Sequence, residues 1–148
     1  MTKIKVIFIE IIIALFVVLW FYTGLNKIVD YNNFKSQLGK SPFVEHFAAL
    51  ISWIIPIGEM LIGVMLVYRR TMLLGLHLSF ALMLLFTGYV WMMLSYAYDL
   101  PCSCGGVLAQ LSWEDHLWFN SAFVLLSVIA IIFKTNTSLI PKRKEVLS

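Results

Sequence analysis

The chain has 148 residues, 61% of them hydrophobic and 13% charged, with a net charge of +3. That charge content is about half the roughly 25% of soluble domains, so lipid must solvate much of the surface. The length fits one domain, and no dense basic run with interleaved aromatics offers a surface to nucleic acid.

In chain order, Lys3 and Lys5 precede an apolar run over residues 6–25. The run is too long for the core of a signal peptide and no small-x-small cleavage pattern follows it, so it reads as a retained first span. Further spans are expected over residues 47–68, stopped by Arg69 and Arg70, over 71–96, ended before Pro101, and over 117–133. Each must be helical, because hydrocarbon satisfies no backbone amide. The connection 26–46 places Tyr31, Phe34 and Leu38 at helical spacing before Gly39, which suggests a short amphipathic helix lying on the interface. Ser41-Pro42 fits an N-cap followed by proline, opening the second span early. Ser112 with Asp115 resembles a capping box that opens the last helix ahead of residue 117. The connection 97–116 holds the remaining polar features.

Eight of the eleven basic residues fall at the two ends of the chain and in the second connection. An even number of spans puts those segments on one side, which the positive-inside bias makes cytoplasmic. The expected architecture is an all-α polytopic membrane protein. It is a single four-helix transmembrane bundle over residues 1–148, with both termini cytoplasmic, in a bacterial inner membrane. The connection 97–116 would then face the periplasm, where disulfides persist.

That connection carries the only two cysteines, Cys102 and Cys104, in Pro101-Cys102-Ser103-Cys104-Gly105-Gly106. A disulfide closed across one residue departs from preferred geometry, which raises its tendency to accept electrons. Gly105 and Gly106 let the backbone turn and leave the sulfurs open to a second protein. The acidic neighbours Asp99, Glu114 and Asp115 disfavour a resting thiolate, which favours the oxidised pair as an electron acceptor, or a pair whose thiolate the partner activates. A structural staple is the plain alternative, although so short a loop gains little from a crosslink. A soft-metal site is another, with Cys102, Cys104 and His116 as ligands and His46 or Asp115 completing it.

Within the spans Glu59 stands out, about 18 Å along its helix from Phe47. A carboxyl at that depth is a functional candidate that must face the bundle interior, with Pro56 and Gly63 on the same face. It would carry a proton, hydrogen-bond a quinone carbonyl, or bond across helices as structure. Lys27 closes the first span; its stem either snorkels or reaches towards Glu59, and Asp30 offers an i,i+3 partner. His77 and Glu10 read as structural or interfacial. Met83, Phe86, Tyr89, Met92 and Met93 read as packing or lipid contact.

The pieces Gly24-x-x-Lys27-x-x-Asp30, Glu59, Cys102-Ser103-Cys104-Gly105-Gly106, and Ser112-Trp113 through Phe119-Asn120 together resemble the MauE/DoxX-like family of redox-associated integral membrane proteins. The resemblance implies a four-helix membrane protein working in periplasmic thiol chemistry beside a thioredoxin-like partner, with distant relatives linked to quinone. It implies Cys102 and Cys104 as the redox pair and Glu59 as the buried acid, with Gly105, Gly106, Trp113 and Asn120 as motif support. Gly105 departs from the bulkier Cys-Phe-Gly arrangement of that motif. The functional expectation is thiol–disulfide exchange with a periplasmic thioredoxin-fold protein, coupled to quinone near Glu59 and Lys27. A non-catalytic scaffold subunit or a metal-binding membrane protein is the alternative.

Overall fold

The computed structural model describes residues 3–96 and 112–146, with side chains to residue 136. Among these the elements are all helical: α1 Lys3–Val29, α2 Tyr31–Gly39, a 3-10 turn at Glu45–Phe47, α3 Ala48–Val67, α4 Met72–Tyr96 and α5 Trp113–Val146. Four of the described stretches are long and apolar enough to cross a membrane: Lys3–Val29, Glu45–Val67, Met72–Tyr96 and Trp113–Asn136. Leu15, Val18, Ile57, Leu61, Leu125 and Ile132 point outward, uncovered by protein. A belt of this kind is stable against acyl chains and would drive association in water. The protein is a multi-pass membrane protein.

The long helices form a ring in which α1 packs on α3, α3 on α4, α4 on α5 and α5 back on α1. The α3–α4 turn is tight. Thr71 donates from Oγ1 to the Met65 carbonyl at 2.9 Å, and the Gly75 amide donates to the Thr71 carbonyl at 2.8 Å. The core between the helices holds Ile12, Phe16, Trp20, Leu66, Leu76 and Met83. Phe16 meets Phe123 of α5 edge to face at 5.1 Å between centroids. Trp20 crosses the ring and donates its indole N–H to Ser79 Oγ of α4 at 2.9 Å. In lipid, where apolar contact alone does not distinguish a helix from the solvent, such a bond fixes which faces meet.

The first helix runs past residue 25 to Val29, and the helical ladder nearly continues into α2. The Asp30 amide donates to Asn26, and the Phe34 amide donates to Asp30, both at 3.0 Å. The amphipathic helix is therefore present, but its apolar side is spent on protein. Phe34 and Leu38 are buried with Ala48 against Val44, Ile51 and Ile55. Ser41-Pro42 does not open the next helix. Ser41 is buried, its hydroxyl turned to Met93 Sδ at 3.7 Å, and its carbonyl accepts from the Glu45 amide at 3.1 Å. The chain turns there and breaks at Val44 (φ −127°), and α3 proper starts at Ala48. A hydroxyl engaged across the bundle is not available to cap its own chain. At Ser112 the cap does form. The Asp115 amide donates to Ser112 Oγ at 3.1 Å, and the Ser112 hydroxyl donates to Asp115 Oδ2 at 2.7 Å, so α5 begins at Trp113.

Candidate functional site

The site is built where α1 and α3 come closest. Gly24 faces Pro56, Glu59 and Met60; a Cβ at Gly24 would stand 2.9 Å from Met60 Cγ and 3.2 Å from the Pro56 carbonyl oxygen. Further along the same seam the roles reverse, and Phe21 of α1 fills the space left by Gly63 of α3. These two glycines let the backbones approach. One turn beyond Gly24, Lys27 falls on the same face and is carried inward rather than to the interface.

Lys27 is 4% exposed and Glu59 is fully buried, and the Lys27 ammonium donates to Glu59 Oε1 as an ion pair. The ammonium also lies 5.1 Å from the Phe86 ring centroid and 5.7 Å from that of Phe34. Aromatic faces and a carboxylate thus replace water around the cation. Of the two alternatives open to Lys27 in the sequence, it takes Glu59. Asp30 accepts instead from Asn33 Nδ2 at 3.0 Å. Pro56, Glu59 and Gly63 do share the buried face of α3. The second Glu59 oxygen, Oε2, has no hydrogen-bond partner among the described residues, and neither has Asn120 Nδ2.

Glu59 and Asn120 both line a small cavity of about 20 Å³, with Lys27, His116, Thr23 and Phe86. That is room for about one water. Beside it lies a larger cavity of about 500 Å³, bounded by α2, α3, α4, the start of α5 and Lys27 of α1. Its wall is apolar, with Lys27, His116 and Asn120 on one side and Phe34, Ile55 and Tyr89 among the rest. Lys27, Phe86, His116 and Asn120 belong to both cavities. The polar cluster at the ion pair is therefore also the polar wall of the larger cavity.

The remaining expected site residues divide. Cys102, Cys104, Gly105 and Gly106 lie outside the described residues. Trp113 is the half-buried first residue of α5, and Asn120 is buried two turns on. His116 is buried beside Lys27, whereas His46 and Asp115 are exposed. No three His, Cys, Asp or Glu side chains converge among the described residues. His77 is bonded by Nδ1 to the Leu73 carbonyl of its own helix at 2.7 Å, a structural arrangement. Met83 and Met93 pack in the core, Met92 is exposed, and Phe86 and Tyr89 line the larger cavity. Sequence reasoning did not assign Phe34 or Thr23 to the site. Phe34 was within reach of it, because a nearly continuous ladder through Asp30 puts residues 27 and 34 on one face.

Fold and site together define a small polytopic helical membrane protein with a buried lysine–glutamate pair beside an apolar cavity. The model of the family described as methylamine utilisation protein MauE matches residues 5–133. The chain belongs to that family. Neither the curated proteins nor the solved structures provide a match.

Proposed function

We propose that the protein is a thiol–disulfide redox protein of a bacterial inner membrane, exchanging electrons between Cys102/Cys104 and a periplasmic thioredoxin-fold partner. The observation that carries this reading is the position of the only two thiols in the chain. They lie in the segment that joins α4 to α5, helices that both line the larger cavity. Family membership over residues 5–133 takes in that segment. The positive-inside bias puts it on the exported side.

In the exchange, a partner thiolate attacks one sulfur of the Cys102–Cys104 disulfide and forms a mixed disulfide. The partner's second thiolate then releases the pair. One S–S bond breaks in this chain and one forms in the partner. Two electrons have moved, and two protons end on Cys102 and Cys104. Turnover needs an acceptor for those electrons, because the chain has no second thiol pair. A membrane quinone is the acceptor in this reading.

The test is the potential of the couple, measured against thiol buffers with the protein in nanodiscs. The expected value lies above about −300 mV, outside the range of structural disulfides. A value below that would make the pair an inert staple and contradict the proposal.

A further inference from the structure

We propose that the larger cavity is the binding site for the head group of a membrane-dissolved quinone, admitted from the lipid between α3 and α4. This rests on the thiol–disulfide reading and supplies its electron acceptor. Three features point to that ligand class.

First, the cavity meets lipid directly. Ile54 of α3 and Leu85 of α4 line it, yet they are 58% and 68% exposed on the apolar belt of the bundle. Its volume, about 500 Å³, lies in the range of small-molecule sites. A ligand already dissolved in the hydrocarbon reaches it without crossing water.

Second, the polar wall is asymmetric in its chemistry. Lys27 and Asn120 line that wall, and Asn120, 3% exposed, keeps Nδ2 without a partner among the described residues. A buried amide N–H asks for an acceptor. Glu59 already accompanies the Lys27 charge, so a neutral acceptor suits the wall better than an anion. A quinone carbonyl is such an acceptor on a flat apolar ring, and Phe86 lines the cavity beside it. An acyl chain would leave the amide unsatisfied.

Third, Glu59 lines the small cavity together with Lys27, His116 and Asn120 of this wall. A proton held at the Lys27–Glu59 pair is next to the carbonyl that must receive one. In the complete step, the Cys102/Cys104 dithiol and one quinone become a disulfide and one quinol. Two S–H bonds break, one S–S bond and two O–H bonds form, and two electrons and two protons pass from sulfur to the ring oxygens. The proton delivered from the ion pair is restored by one released at sulfur.

An azido-benzoquinone carrying a short alkyl tail, photolysed with the full-length protein in nanodiscs, tests the site. Peptide mapping is expected to place the label on α4 around Phe86 and on α5 around Asn120, with loss of label under excess decylubiquinone. Asn120→Leu should weaken competition by decylubiquinone about five- to tenfold, the worth of one hydrogen bond. Leu82→Trp, which fills the cavity, should remove the label. Ile57→Trp, on the lipid face of α3, should keep it. Label spread evenly over lipid-facing positions, or displaced by added phospholipid as readily as by decylubiquinone, would overturn the quinone site.

Trapping of a mixed disulfide by Cys104→Ser protein reads the thiol chemistry separately. Trapping without specific label refutes the cavity and leaves the exchange reading standing. Specific label with no trapped complex in either single-serine variant refutes the exchange reading and leaves a quinone-binding protein.

Discussion

At Lys27, a cation near the end of an apolar helix has to find a substitute for water. It finds a carboxylate and two aromatic rings. Pairing of this kind does not imply that the charges stabilise the fold, since two ions removed from water cost about what their attraction returns. The sharper expectation concerns removing one of them. Lys27→Met or Glu59→Leu alone leaves an uncompensated buried charge and should cost about 3–5 kcal/mol, whereas the double variant should recover most of that loss. Reversible unfolding in mixed micelles, run as a double-mutant cycle, measures it. Near-neutral single variants would show that the pair is not a desolvated ion pair. Both residues were visible in the sequence as polar groups in apolar runs. Their partnership was one option of two, because nothing local states how far α1 tilts towards α3. Asn120 was visible only as part of a motif. That its amide nitrogen has no partner among the described residues depends on neighbours from other helices.

Among the elements, the α1–α3 seam matters most, since it decides where the ion pair sits. Gly24 and Gly63 each receive a side chain from the opposite helix. Gly24→Ala drives a methyl against Met60 and the Pro56 carbonyl, and overpacking of this sort costs about 1–3 kcal/mol. Gly58 on the same helix has nothing within 4 Å of its would-be Cβ, so Gly58→Ala should be neutral or mildly stabilising. Thermal inactivation of the two variants in detergent should therefore move in different directions. Equal destabilisation would mean that helix propensity, rather than close approach, governs the seam. The capping box at Ser112 was legible because its donors and acceptors lie within four residues. The turn at Ser41 was not. Its hydroxyl faces Met93, a contact 52 residues away that no local pattern announces.

On the scale of the whole molecule, composition alone required lipid as the solvent, and four apolar runs gave the number of crossings. The cavities had no linear signature. The larger one draws its wall from α2, α3, α4 and α5 together with Lys27 of α1, so residues far apart in the chain must meet to form it. The arrangement gathers the functional groups towards one end of the ring. There α4 leads into the connection with Cys102 and Cys104, and α5 returns from it within about one turn of His116. The Arg69–Arg70 turn lies at the opposite end, the one that the proposed topology gives to the cytoplasm. Exchange with an exported thioredoxin-fold protein follows only if all of this holds together.

Trapping of that partner in intact cells is the most direct measurement. Single-serine variants at Cys102 and Cys104 and the double variant would be compared on non-reducing gels, with the adduct identified by mass spectrometry. One single-serine variant is expected to accumulate a reductant-sensitive adduct with a thioredoxin-fold protein, and the double variant to lose it. No adduct in either single variant, or an adduct that survives in the double variant, would contradict the account.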